Sequence, residues 1–392
     1  MPVSALKNRL YAAALPAFGK RCRWQTGTAS GGSPETLNAL ERVWKRHHTI
    51  GGCVCVLRAG VPAETYAAGY ARLSPLLPAG ADTVFRTASV AKAVCALLVM
   101  RLQTRGLLSV EEDISAFWRR PIRNPYHPQT PIPLGALLSH TAGIADSPLY
   151  FRALSQPIAA DALLADAASF TPHPPYRQFL YSNFAAGLIG SLLEYRFHAS
   201  FEELMQTELF RPLNVEATFD ITMADPQRLA DCIRVLPARR GPAFDSLRRY
   251  REAAPVGAPD PQRHFTLASG NLYVTAGNLA KLCGMMIHGT HEGKAFLDEQ
   301  ALHNLRFPDA DTRPVPGMRH GMGLFSLWEE TVLPRRVFGH QGFAYGAVNG
   351  FFFDEQGNGF ASLTSGASEG RMGRLSLLNR DLIRVLLGED RG

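Results

Sequence analysis

Hydrophobic positions recur along this chain in two rhythms. Residues 89–105 are apolar on nearly every side of a helical repeat, which predicts a helix buried on all faces. Residues 34–47 carry Leu37, Leu40 and Trp44 at helical spacing behind Ser33-Pro34, an N-cap followed by proline at the first helical position; this predicts a half-buried helix. Residues 279–287 predict another helix, and residues 375–387 an amphipathic one. The other rhythm is strand-like: residues 53–57 and 65–70, joined through a turn at Gly60, then residues 323–327, 347–353 and 360–364. The last two runs are linked by the turn chemistry of residues 354–359, Asp-Glu-Gln-Gly-Asn-Gly. Residues 105–265 read as helical patterns broken by Pro-rich loops, with a proline cluster at 121–133 and a basic stretch at 239–263. No internal repeat is visible. This order predicts an α+β fold, an antiparallel sheet in which both ends of the chain meet, flanked by helices and carrying an inserted, mainly helical lobe. The expected division is an extension over 1–33 and one domain over 34–387, whose α/β part covers about 34–88 and 266–387 and whose helical lobe covers about 89–265.

Composition narrows the classes. With 392 residues, 46% of them hydrophobic, the chain can bury a large core, and disorder, collagen and coiled coil are excluded as descriptions of the whole. The 41 Lys and Arg exceed the 34 Asp and Glu by seven without forming one basic tract, so no nucleic-acid partner is expected. No window reaches the roughly 18 consecutive apolar residues of a membrane span. The apolar run at 93–100 stops at Lys92 and Arg101. Residues 1–34 hold Lys7, Arg9, Lys20, Arg21 and Arg23 and no acid, around an apolar stretch at 10–18 too short for a secretory signal; a loosely ordered basic extension is expected, and the cytoplasm is favoured. Cys22, Cys53, Cys55, Cys95, Cys232 and Cys283 are too scattered for a disulfide framework, and a strand would point Cys53 and Cys55 to one face as buried thiols. His47-His48, and His288 with His291, lack the H-E-x-x-H pattern, so no metal is expected. The glycines lack phosphate-binding spacing, so no cofactor is expected either.

The chemistry begins at Phe85-Arg86-Thr87-Ala88-Ser89-Val90-Ala91-Lys92. Positions i and i+3 share a helix face, so the Lys92 amine reaches the Ser89 hydroxyl. Serine is a weak nucleophile until a base takes its proton, and burial beside an apolar helix disfavours the ammonium form of a lysine, freeing it for that task. The same spacing also describes an N-cap serine followed by a snorkelling lysine. Tyr181-Ser182-Asn183 precedes the apolar residues 184–197, which places Tyr181 and Asn183 on the loop before a helix; a cap and a core aromatic are the plainer alternatives. Phe338-Gly339-His340-Gln341-Gly342 lies between strand-like runs, with glycines that allow close backbone approach, although His340 also fits an ordinary edge strand.

In this order the motifs resemble those of serine β-lactamases and penicillin-binding proteins, in the branch similar to class C β-lactamases, D,D-peptidases, D-aminopeptidases and esterases. That branch reads S-x-x-K, Y-x-N, then K-T-G or H-x-G, matched by Ser89 to Lys92, Tyr181 to Asn183 and His340 to Gly342. Leu137-Leu138-Ser139-His140-Thr141-Ala142-Gly143-Ile144 and Ala268-Ser269-Gly270-Asn271-Leu272-Tyr273 extend the likeness, which spans about residues 35–387. The resemblance implies a β-lactamase/transpeptidase-like fold and a serine hydrolase acting through an acyl-enzyme on a small-molecule or peptide substrate. It implies catalytic roles for Ser89, Lys92 and Tyr181, substrate contacts at Asn183, His340, Gly342 and Phe343, and an oxyanion hole from the Ser89 and Phe343 backbone N–H groups. The absence of an S-D-N triplet speaks against the class A arrangement. His340 stands where efficient β-lactamases of this branch carry lysine, so the expected charge is one that titrates near neutrality, and Phe343 brings a bulky ring; both point away from efficient β-lactam hydrolysis. The alternative is a catalytically idle or non-turning-over penicillin-recognising scaffold, against which the intact Ser89, Lys92 and Tyr181 argue. Neither reading fixes an oligomeric state.

Overall fold

The alternation along residues 53–57 divides the core in two. Cys53, Cys55 and Leu57 face one side of a sheet, with Val94 and Leu97 of the helix Val90–Thr104 and Leu279 and Cys283 of the helix Ala276–His288. Val54 and Val56 face the other, with Leu40 and Trp44 of Pro34–Arg46 and Leu378 and Leu382 of Leu377–Leu387. Both thiols are buried, and burial pushes their pKa values up. A computed structural model describes residues 3–20, 24–118, 120–236, 241–307, 318–328 and 332–388. Arg21, Cys22, Arg23 and Arg239 lie outside the described residues.

Among the described residues one antiparallel sheet has nine strands. Its order is Thr28–Ser30, Val61–Leu73, Gly51–Arg58, Gly359–Gly366, Ala347–Asp354, Val337–Ala344, Phe325–Leu327 and Met318–His320, with Leu76–Pro78 paired to Val61–Leu73 off this path. The early and late strands join at Gly51–Arg58 against Gly359–Gly366, with Leu57 opposite Gly359. Most elements described between the two strand groups are helices.

Two expectations need correction. The strand Val337–Ala344 is as long as its partner Ala347–Asp354, yet its two glycines, histidine and glutamine hide it from a hydrophobic reading. Both glycines are steric necessities: a Cβ on Gly339 would lie 2.2 Å from the Phe351 carbonyl oxygen, and one on Gly342 would lie 2.5 Å from that of Thr87. The N-terminal extension is not loose throughout. Val3–Phe18 is a helix whose Leu15 is buried with Ile50, Ile233 and Val235, and whose Tyr11 hydroxyl accepts from the Glu369 N–H at 3.1 Å. No helix among the described residues is long and apolar enough to cross a membrane.

Candidate active site

Ser89 is delivered by a short strand, Phe85–Arg86, and by a left-handed turn at Ala88, whose φ of 53° is uncommon for a residue with a side chain. It occupies the N-cap position of Val90–Thr104, but its hydroxyl makes no capping bond. That oxygen instead accepts from Lys92 Nζ at 3.0 Å. Lys92 is buried one turn along the same helix and also donates to Asn183 Oδ1 at 2.9 Å and to the Ser269 carbonyl at 2.5 Å. The face of Tyr181 lies 5.1 Å from Lys92 Nζ.

Asn183 is the first residue of the helix Asn183–Phe197 rather than part of the preceding loop, because Ser182 takes the cap by accepting from the Ala185 N–H at 3.0 Å. A residue with no motif around it holds this corner in place. Asp146 accepts from Ser182 Oγ at 2.8 Å, from Asn183 Nδ2 at 2.9 Å and from the Phe184 N–H at 2.9 Å. The bond to Nδ2 fixes the amide so that Oδ1 faces Lys92. Sequence reasoning missed Asp146, and missed the Ser269 carbonyl because a backbone oxygen leaves no mark in a side-chain pattern.

The strand Val337–Ala344 passes directly beside the serine. The Cβ that Gly342 lacks would lie 2.8 Å from the Ser89 nitrogen. Only Val337, Phe338 and Gly339 pair with Phe325–Leu327, so from His340 onward no strand among the described residues covers that edge. Ser89, Asn183 and Phe343 line two clefts at once. One, of about 650 Å³, runs between Tyr150, Phe219 and Phe244. The other, of about 330 Å³, includes Tyr181, His340, Arg371 and Arg374. Thus all seven residues singled out in the sequence converge on one place.

His340 behaves differently from the expectation. It is buried, and its pKa is pushed well below the ordinary histidine value, first by burial and then by the neighbouring His320 and Lys92. It is therefore neutral at physiological pH and does not titrate near neutrality. Positive charge enters the smaller cleft from elsewhere: the Arg371 guanidinium stacks 3.9 Å over the Phe343 ring, and that of Arg374 sits 5.4 Å over Phe179. Gln341 secures both, its Nε2 donating to the Arg374 carbonyl at 2.5 Å and its Oε1 accepting from the Ser376 N–H at 3.1 Å. Neither arginine belongs to any of the three motifs.

Comparison with known proteins gives the lineage. The β-lactamase family model matches residues 37–383, most of the chain. The chain belongs to the β-lactamase family. Among curated members, penicillin-binding protein 4* of Bacillus subtilis (strain 168) is 25% identical over 192 residues, 46% of this chain and 40% of that protein. The β-lactamase of Escherichia coli (strain K12) is 26% identical over 170 residues, 43% of each. The matches therefore span less than half the length of these relatives. Solved structures share the β-lactamase fold across nearly the whole chain. The octameric penicillin-binding protein homologue from Pyrococcus abyssi has a TM-score of 0.68 at 20% identity, covering 91% of this chain and 77% of that one. EstCE1, described as a hydrolase with promiscuous acyltransferase activity, has 0.68 at 22%, covering 89% and 98%. The D-amino acid amidase from Ochrobactrum anthropi SV3 has 0.66 at 19%, covering 90% and 98%. These relatives and structural neighbours are thus named as penicillin-binding proteins, a β-lactamase, a hydrolase and an amidase.

Proposed function

We propose that this protein is a serine hydrolase acting through an acyl-enzyme on small esters, D-amino amides or D-Ala-D-Ala-like peptides. The observation that carries the reading is the Lys92 amine, held by three oxygens of which one is Ser89 Oγ. A neutral amine has two N–H donors and one lone pair. In that form, with the donors directed to Asn183 Oδ1 and the Ser269 carbonyl, the lone pair replaces the N–H that Lys92 gives Ser89 Oγ in this structure and takes the Ser89 proton. Ser89 Oγ then attacks the substrate carbonyl carbon while its proton passes to Lys92. The backbone N–H groups of Ser89 and Phe343 hold the oxyanion, and collapse expels the leaving group, which takes the Tyr181 hydroxyl proton and leaves a phenolate. That phenolate takes a proton from a water whose oxygen attacks the acyl carbon; the acyl–Oγ bond then breaks, Ser89 Oγ takes back the proton held on Lys92, and the acid is released. Asn183 spends one amide N–H on Asp146 and keeps the other for the substrate. The acyl part fits the 650 Å³ cleft, while a carboxylate on the leaving side meets Arg371 and Arg374 rather than His340.

Intact-mass measurement after incubation with p-nitrophenyl esters, D-alanyl amides and penicillin tests this reading. The expected result is a mass increment equal to the acyl group, mapped to the Ser89 peptide and absent from Ser89→Ala. Undiminished turnover by Ser89→Ala, or an acyl group on another residue, overturns it.

A further inference from the structure

Lys92 also borders a small enclosed cavity. Three buried imidazoles, those of His140, His320 and His340, meet there with the Lys92 stem and the apolar Leu138 and Ile189. Ring centroids are 5.2 Å apart for His140 and His320 and 6.0 Å for His320 and His340. The cavity volume, about 10 Å³, matches the space of one water molecule.

The backbone assigns each proton. His140 Nδ1 lies 3.3 Å from the Ser182 N–H and accepts from it, so Nε2 carries the ring proton. His320 Nδ1 is 2.7 Å from the Gly321 carbonyl and His340 Nδ1 is 2.9 Å from that of Gln341; each donates there, leaving Nε2 as a lone pair. His320 Nε2 is fully buried with no partner among the described residues, which is costly unless something donates to it. The cluster thus presents one N–H and two lone pairs. Burial above all pushes the three imidazole pKa values down, which keeps the rings neutral. A metal ion would need a third lone pair where His140 offers a proton, and an anion would need more than one donor. Water alone supplies two O–H donors and an acceptor.

We propose that His140, His320 and His340 bind one internal water molecule through their Nε2 atoms, and that His320 thereby acts as a positioning residue for the catalytic wall. His140 stacks 4.3 Å from the Tyr181 ring and accepts from the N–H of Ser182, so fixing it orients both Tyr181 and the cap of the Asn183 helix. His340 lies on the strand that reaches Ser89. The water joins the two walls through His320.

This inference rests on the serine hydrolase reading, and the experiment separates them. A high-resolution crystal structure of the full chain should show one solvent peak within hydrogen-bonding distance of the three Nε2 atoms, about 2.7–3.2 Å. Kinetics with p-nitrophenyl acetate should show kcat of His320→Leu lower by about tenfold with little change in KM, as loss of orientation demands. His320→Gln, whose amide oxygen restores an acceptor, should recover to within about threefold of wild type. No peak, a metal at the site, or a His320→Gln variant as impaired as His320→Leu overturns the water site. If His320→Leu does not fold, the crystal structure and the Gln variant still decide. Activity in Ser89→Ala identical to wild type would instead overturn the hydrolase reading.

Discussion

At the scale of single residues, Tyr181 and Phe343 carry the most distinctive expectations. If Tyr181 prepares the deacylating water, Tyr181→Phe should lower steady-state turnover by about 100-fold or more, within the range of general acid–base catalysis. Stopped-flow traces with p-nitrophenyl acetate should then show a burst near one equivalent followed by a stall; a linear trace at wild-type rate removes Tyr181 from the mechanism. Phe343 forms the wall shared by both clefts, with Arg371 clamped on its face. A fused bicyclic ring must lie across that wall, whereas a flat ester need not. Nitrocefin turnover should therefore trail p-nitrophenyl acetate by at least about 100-fold, about 2.7 kcal/mol in transition-state binding. Phe343→Gly should narrow the ratio, and an unchanged ratio would assign the discrimination elsewhere.

At the scale of elements, the missing lysine of the third motif loses importance once the hairpin Arg371–Met372 with Leu375–Ser376 is seen. Its arginines bring the charge that His340 withholds. Arg374→Ala should raise KM for a carboxylate-bearing D-alanyl substrate by about tenfold, about 1.4 kcal/mol and near the value of a charged hydrogen bond. KM for a neutral aryl ester should stay within about twofold; equal effects on both substrates would show that the arginine serves only to pack Phe179. These elements also mark what the sequence disclosed. Ser89 and Lys92 had to meet, because helical spacing is local, and Cys53 with Cys55 had to share a face, because strand alternation is. Asp146, Arg371 and Arg374 reach the site through contacts across the fold, held by Gln341 and by the Asn183 helix, and no local pattern announces such contacts. The strand Val337–Ala344 was hidden for a related reason: its glycines answer to Thr87 and Phe351, which are distant in sequence.

At the scale of the whole molecule, the neutral imidazoles couple stability to pH. Burial holds His140 and His340 well below the ordinary value and His320 at about 4, and the groups facing them are Lys92 and Arg374. Folded-state values depressed below the unfolded ~6.5 mean that the unfolded chain binds protons the folded chain refuses. Their contribution is complete above about pH 6.5 and declines as pH falls toward the folded values. Calorimetry should record a falling Tm from pH 7 to about 4.5, with a shallower fall in His320→Leu; parallel curves would show that the cluster does not set the slope. The seam between Gly51–Arg58 and Gly359–Gly366 has a different consequence. On a ribosome, Leu57 emerges on the order of 300 residues before Gly359, the residue it will face. Until then the strand Gly51–Arg58 has one edge unclaimed, a template for any passing extended segment. The helical stretch made in the interval can fold from local contacts, while the sheet waits for nearly the last of the chain, so a translation arrest before Gly359 should leave a nascent chain that binds chaperones and no active-site probe.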